Sequence, residues 1–132
     1  DHGQGEVAAG AWIELGLVAR WGEAQAGDAR RRYLYARPGA AGALVDAANS
    51  QLGDFAWVFT RERLFDEGWL GPEAPSEAVA ARVGDVALAA KEAFVFADPG
   101  YATERTLRSA HGSLTAAEML VPLLAARGRA SG

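Results

Sequence analysis

The chain has 132 residues, half of them hydrophobic, and a formal net charge of −4 with a pI near 5.1. An acidic chain lacks the positive field that binding to nucleic-acid polymers or membrane surfaces requires, so we expect neither partner. It contains no cysteine, which excludes disulfides and thiolate metal sites and leaves carboxylates and imidazoles as ligands for any metal.

The length predicts a single domain or a piece of one, and because many of its hydrophobic residues are alanine, the core should be modest. No stretch approaches the roughly 20 apolar residues of a membrane span, and the sequence shows no signal peptide. Because the chain begins with Asp rather than Met, we expect a processed or cut N-terminus. The cellular location stays open, with the cytoplasm favoured.

In the first half of the chain, hydrophobic patterns separate loops from regular elements. Residues 1–11 and 23–28 are rich in small residues and are predicted to be loops, and residues 12–18 alternate only in part, as a short strand or an irregular segment would. Tyr-rich residues 31–37 predict a strand, and apolar residues at spacings of three and four predict a helix over 40–52.

Three consecutive arginines, Arg30, Arg31 and Arg32, lead into the first of these predicted strands. Their favoured interpretation is a solvated strand start. Phosphate capture is the more specific alternative.

The second half predicts a strand at 56–59, a short helix at 61–67 capped by Thr60 and a helical turn at 77–81. Residues 85–90 and 93–97, joined by two polar residues, predict a β-hairpin. Residues 101–108 read as a loop.

A capping box is predicted where the last helix begins. Thr115 should cap the N–H of Glu118, and the Glu118 side chain should reach back to Thr115. The helix should continue over 119–126, with Pro122 kinking or shortening it. Together these elements predict an α+β fold with an α/β-like order, in which helices flank a small mixed sheet.

Both histidines of the chain are followed by glycine, in Asp1-His2-Gly3 and in His111-Gly112. A carboxylate beside an imidazole can bind one Zn²⁺ if the backbone turns sharply, and glycine permits that turn. Each motif also has a structural interpretation, a turn for Asp1-His2-Gly3 and a surface or capping residue for His111. The spacing alone leaves both interpretations open.

Other polar and aromatic residues receive structural roles in preference to chemical ones. Ser113 and Thr115 are possible nucleophiles, but helix capping is favoured for Thr115. Asp85 and Asp98 are possible metal ligands, but a strand start is favoured for Asp85 and a turn for Asp98. Core packing is favoured over base stacking for Trp57 and Trp69.

Three stretches give the chain a resemblance to the C-terminal portion of the alkaline phosphatase superfamily, in particular to bacterial type I phosphodiesterases and nucleotide pyrophosphatases. They are Asp1-His2-Gly3, residues 57–62 followed by 82–86, and residues 111–124. One departure is Ala116, where these proteins often carry proline, a substitution that the first position of a helix should tolerate.

The resemblance implies two metal ions, usually Zn²⁺, on either side of a Thr or Ser nucleophile. Asp1 and His2 would bind one metal and His111 the other, while the nucleophile and the remaining ligands would lie upstream, so no catalytic residue is expected within the chain. Residues 1–11 would form a metal-ligand loop, residues 12–100 a cap-like α+β subdomain, and residues 101–132 the histidine-bearing loop and C-terminal helix.

The sequence therefore predicts the C-terminal part of a two-metal phosphoric-ester hydrolase, inactive alone and with weak metal affinity. Its substrate would be a phosphate ester or a nucleotide, with diesterase and monoesterase action left open and no substrate-binding residue identified. The alternative is an autonomous, non-catalytic α+β binding or interaction domain without metal. A piece of a larger sheet would also expose apolar surface and tend to self-associate.

Overall fold

The structure, a computed structural model, describes residues 2–126, and its largest sheet is antiparallel throughout. The strands of this sheet are β3 (Gly22–Asp28), β4 (Arg31–Ala36), β5 (Ala56–Thr60) and β6 (Val86–Ala90). They lie in the order β3-β4-β6-β5, so β6 is a central strand with both edges paired.

Two shorter strand pairs join distant parts of the chain. The four strands are β1 (Gly5–Glu6), β2 (Trp12–Ile13), β7 (Val95–Phe96) and β8 (Ser109–Ala110). Strand β1 pairs with β8 in antiparallel orientation, and β2 pairs with β7 in parallel. The first residues of the chain are thereby held against the segment that carries His111.

Helices connect and cover the sheets, and the predicted α+β fold is confirmed. They are α1 (Gly16–Trp21), α2 (Ala41–Leu52), α3 (Arg61–Asp66), α4 (Glu77–Ala80), α5 (Ala116–Met119) and a 3₁₀ helix over Pro99–Thr106. Thr60 caps α3 as predicted, accepting a hydrogen bond from the Arg63 backbone N–H at 3.2 Å. No helix in the described part of the chain is long and apolar enough to cross a membrane.

The alternation of side chains along β6 divides the core into two layers. Val86, Leu88 and Ala90 pack with the buried face of α2 in the larger hydrophobic cluster. Ala87 and Ala89 point to the opposite face and belong to a second cluster. All five residues of β6 are buried, as expected for a strand covered on both faces.

The predicted loop at residues 23–28 is wrong, because this segment forms β3. It pairs along its whole length with β4, from Gly22↔Ala36 to Asp28↔Arg31. Its small polar residues have low strand propensity, but the hydrogen bonds offered by the neighbouring edge of β4 override that local preference.

The predicted hairpin between residues 85–90 and 93–97 is also wrong. Residues 91–94 do turn, with the Phe94 N–H donating to the Lys91 carbonyl at 3.1 Å. However, both edges of β6 are occupied by β4 and β5, so the chain continues to another sheet and β7 pairs with β2. The segment at 101–108, predicted as a loop, lies largely within the 3₁₀ helix.

The predicted continuation of the last helix over 119–126 is wrong, because α5 ends at Met119 and Leu120 is already extended, with ψ at 127°. Pro122 explains the early end. Its ring disfavours helical backbone at the preceding residue, and it has no N–H to donate to the Glu118 carbonyl. That carbonyl instead accepts the N–H of Gly3 at 3.1 Å.

Candidate functional site

The pairing of β1 with β8 brings the two histidines together although they lie 109 positions apart in the chain. Extending the register Gly5↔Ala110 beyond the paired residues places His111 opposite Gln4, with His2 as the diagonal neighbour on the same side. The centroids of the two imidazole rings are 4.1 Å apart, and the rings are inclined by 31°. His2 is exposed and His111 is half-buried.

The glycine after each histidine has a definite structural reason. A Cβ on Gly3 would lie 1.8 Å from the Ala117 carbonyl oxygen, a distance that no side chain allows. Gly112 has φ at +114°, a conformation that residues with a Cβ rarely adopt. The two His-Gly pairs therefore let the chain pass close to α5 on one side and turn sharply on the other.

Glu118 connects the segments that carry the two histidines. Its backbone carbonyl accepts the N–H of Gly3, while its side-chain Oε1 accepts the N–H of Ser113 at 3.0 Å. The predicted capping box is therefore wrong in detail. Thr115 is the N-cap residue, but its hydroxyl donates to the Glu118 carboxylate instead of accepting the Glu118 N–H, and the carboxylate accepts from Ser113 instead of Thr115 N–H.

Arg30 neutralises the buried charge of Glu118. Its Nε donates to Oε1 at 2.7 Å and its Nη2 to Oε2 at 3.0 Å, and the two side chains are 1% and 2% exposed. Burial alone would raise the pKa of Glu118, but hydrogen bonds from Arg30, Thr115 and Ser113 outweigh it and lower the pKa. Arg30 also donates to the carbonyls of Phe94 and Glu92, both at 2.7 Å.

The expectation that all three arginines are solvated is wrong for two of them. Arg30 and Arg32 are each 1% exposed, and Arg32 forms ion pairs with Asp98 and Glu104. Only Arg31 is exposed. Alternation along β4 explains the difference between Arg31 and Arg32, because successive side chains point to opposite faces of the sheet.

A cavity of about 410 Å³ opens beside the histidine pair, and we call it the histidine cavity. The side chains that give it chemical character are His2, Asp28, Arg31, Trp69 and His111. The Nδ1 of His2 lies 2.9 Å from the Gly3 carbonyl oxygen, which can only accept a hydrogen bond. When Nδ1 donates this hydrogen bond, Nε2 is the ring nitrogen that would bind a metal.

The histidine pair fits part of a metal site. Two neighbouring imidazoles are suitable donors for Zn²⁺, and a protein Zn²⁺ site needs three or four protein ligands. Within residues 2–126, no group of three or more His, Cys, Asp or Glu side chains is arranged to hold a metal ion. Asp1, the third residue expected to bind metal, lies outside the described residues.

The residues for which structural roles were preferred do have structural contacts. Asp85 pairs with Arg61 at 3.1 Å, and Asp98 caps the Gly100 N–H at 2.8 Å. Ser113 is 4% exposed and its hydroxyl donates to the Ala90 carbonyl, so it is held away from nucleophilic chemistry.

Core packing, the favoured role for the two tryptophans, is wrong. Trp57 is 39% exposed and Trp69 is 47% exposed. Trp69 lies at the edge of the histidine cavity, where its Nε1 donates to Glu67 at 2.7 Å and its ring centroid is 5.3 Å from that of Phe59.

Arg31 was considered only as part of the arginine cluster, with phosphate capture as the alternative interpretation, and Asp28 was not predicted as a site residue. The signal for Arg31 was present in the sequence, since a strand beginning at residue 31 places Arg31 and Arg32 on opposite faces. No comparable signal marked Asp28, because its segment was predicted to be a loop.

Comparison with known proteins adds no relative, since no protein-family model and no curated protein matches the chain. The resemblance to the alkaline phosphatase superfamily therefore stays a prediction based on the motifs around His2 and His111.

Proposed function

We propose that this chain contributes His2 and His111 to the two-metal site of a phosphoric-ester hydrolase and does not supply the nucleophile. The observation that carries the proposal is the separation of 4.1 Å between the two imidazole centroids. Metal ions in two-metal sites lie about 3.5–4 Å apart, so two neighbouring rings can each bind a different ion. The ring separation and the open cavity beside the rings support a shared role.

The described residues have separate tasks in this proposal. His2 offers Nε2 while its Nδ1–H is held by the Gly3 carbonyl, an arrangement typical of metal-binding histidines. Glu118 and Arg30 hold the histidine segments in position, and their charges neutralise each other in a buried ion pair. When bound, the two ions supply the positive charge that stabilises the attacking and leaving oxygens of an in-line displacement at phosphorus.

The missing groups define what the chain does alone. With two imidazoles and no third ligand among residues 2–126, we expect weak Zn²⁺ binding and no phosphoester hydrolysis. Asp1 would join His2 on the first ion, as the resemblance implies, and the second ion would need ligands beyond His111.

Calorimetric titration of the chain with Zn²⁺ tests the proposal. The chain should bind Zn²⁺ weakly, and His2→Ala and His111→Ala should each abolish or strongly reduce that binding. Asp46→Ala is a suitable control, because Asp46 is exposed on α2 and does not line the histidine cavity. Equal Zn²⁺ affinity in both histidine variants and the parent chain would overturn the proposal.

A second candidate function, an interaction domain without metal, is favoured by the exposed apolar segment that follows α5. We call residues 119–124 the apolar tail. Leu120 is 75% exposed, Leu123 95% and Leu124 89%. An exposed apolar run of this kind is typical of a surface that associates with another chain.

A further inference from the structure

A small apolar pocket lies directly beside the histidine cavity, and we call it the apolar pocket. Its volume is about 80 Å³. Its walls are made by Tyr33, Phe59, Leu64, Trp69 and Leu114. Its floor is β6, where Ala87 and Ala89 are too small to fill the space between the aromatic rings.

Strand register explains why these side chains converge on one face. Tyr33 is paired with Ala87, which is paired with Phe59 on the other side of β6. Arg31 is paired with Ala89 and therefore lies in the next row on the same face. The sheet thus places one cation at the end of an aromatic and aliphatic pocket.

Arg31 differs from its two neighbours in its electrostatic surroundings. Arg30 and Arg32 are buried against carboxylates. The guanidinium of Arg31 has no ion-pair or hydrogen-bond partner among residues 2–126, and its central carbon lies over the Tyr33 ring, 5.6 Å from the ring centroid. An exposed guanidinium without an ion pair is suited to bind a phosphate, although the carboxylate of Asp28, the cross-strand partner of Arg31, also lines the histidine cavity.

The apolar pocket and the histidine cavity form one continuous surface, because Arg31, Trp69, Gly112 and Leu114 line both. A phosphate held by Arg31 near the histidines would therefore direct its organic group toward the aromatic walls. The phosphate of such a ligand would face the guanidinium of Arg31, and its organic group would face the apolar walls of the pocket.

We infer that the substrate class is a phosphate ester with a compact apolar or aromatic organic group, bound with its phosphate at Arg31 and that group in the apolar pocket. As an assignment of substrate, the inference rests on the proposed function. A nucleobase fits less well, because Phe59, Leu64 and Ala87 offer its donors and acceptors no hydrogen bonds.

NMR titrations of the full chain with phenyl phosphate, methyl phosphate and AMP, in buffer with EDTA, test the inference without metal. Phenyl phosphate should bind about tenfold more tightly than methyl phosphate, since burying roughly 55 Å² of apolar surface gives about that gain. AMP should bind no better than methyl phosphate. Equal affinities for the phenyl and methyl esters, or tighter binding of AMP that depends on Trp69, would overturn the assignment.

Two variants separate the two halves of the site. Arg31→Gln should weaken both phenyl and methyl phosphate about tenfold, because it removes a charge-assisted contact with the phosphate. Trp69→Ala should weaken phenyl phosphate alone. Both side chains are exposed, so the fold should be retained, which circular dichroism checks.

Matched controls are present in the chain. Arg20 is exposed and lies over the Trp21 ring at 4.5 Å, as Arg31 does over Tyr33, and Trp57 is exposed outside the apolar pocket. Arg20→Gln and Trp57→Ala should leave both affinities unchanged. If they weaken binding as much as the site variants, or if the site variants have no effect, the inference is wrong.

The same samples distinguish failure of this inference from failure of the proposed function. Zn²⁺ binding that survives His2→Ala and His111→Ala would refute the metal site while leaving the phosphate-ester results intact. If Zn²⁺ binding requires both histidines but the phosphate-ester affinities are unchanged in Arg31→Gln and Trp69→Ala, the substrate assignment is refuted and the proposed function is not.

Discussion

Arg30 and Glu118, 88 residues apart in sequence, form a bidentate ion pair that is almost completely buried. The Glu118 carboxylate also accepts the N–H of Ser113, and the Glu118 backbone carbonyl accepts the N–H of Gly3, so this one residue holds the backbone beside both histidines. The candidate site is thus supported by Glu118, through its carboxylate beside His111 and through its backbone carbonyl beside His2. The geometry at His111 should be sensitive to that carboxylate even though it is not proposed to bind metal.

Replacing Glu118 should cost a large part of the stability of the chain. Glu118→Gln leaves the guanidinium of Arg30 buried without a counter-charge, and breaking a buried pair in this way typically costs about 3–5 kcal/mol. Urea unfolding should show the loss. Glu67→Gln, which breaks the exposed pair with Arg63, is the matched control and should leave the unfolding midpoint nearly unchanged.

The double variant Arg30→Met, Glu118→Leu sharpens this prediction. Removing both charges together should restore much of the stability, because no unpaired charge remains in the interior. Glu118→Gln that unfolds at the same urea concentration as the parent chain would contradict the assigned role of the pair.

The lowered pKa of Glu118 gives the stability a defined dependence on pH. A carboxyl whose pKa is lower in the folded chain contributes stability above its unfolded pKa, near 4.3, and that contribution is lost as the pH falls through the folded pKa. The urea midpoint should therefore fall between pH 6 and pH 3. This component should be absent in Glu118→Gln, and an equal acid sensitivity in that variant would show that other carboxyls cause it.

Gly3→Ala should damage the site through its backbone. The new Cβ would overlap the Ala117 carbonyl, so the segment carrying His2 must move away from α5. We expect Zn²⁺ affinity to fall by about tenfold, the lower end of what is typical when a supporting contact of a metal ligand is lost. Gly42→Ala is the control, since Gly42 lies in α2 with nothing within 4 Å, and it should stabilise the chain by up to about 1 kcal/mol.

The apolar tail should drive self-association of the chain. Sedimentation equilibrium should detect dimers or larger species for the parent chain, and Leu123→Ser with Leu124→Ser should shift the chain toward monomer. Val79→Ser, which removes an exposed apolar side chain from α4, should not produce this shift. A monomeric parent chain would show that the apolar tail does not drive self-association.

Local patterns predicted much of the fold. The strand at Arg31–Ala36, the helix at Ala41–Leu52 and the cap at Thr60 follow from side-chain periodicity and from hydrogen bonds between near neighbours. The predictions that failed concern elements whose structure depends on residues distant in the sequence. Strand β3 exists because β4 offers it an edge, and the predicted hairpin is absent because both edges of β6 are already occupied.

In the candidate site too, local patterns predicted some features, while others depend on residues distant in the sequence. His2 and His111 were identified from sequence, but the contact between their rings depends on the pairing of β1 with β8. The capping box correctly marked Thr115 and Glu118 as a pair, yet the strongest partner of Glu118 is Arg30, which no local pattern indicates. The placement of Arg31 and Arg32 on opposite faces required only strand alternation, whereas the burial of Arg30 depends on Glu118.

The most direct test of the central claim is an NMR titration that observes the imidazole nitrogens while Zn²⁺ is added. The chain has two histidines, so four ring-nitrogen signals report on the candidate site. We predict that the Nε2 signal of His2 and a ring-nitrogen signal of His111 both shift at the same Zn²⁺ concentrations, while Nδ1 of His2 stays protonated. Ring-nitrogen signals of His2 and His111 that do not respond to Zn²⁺, or a response confined to one histidine, would contradict the account.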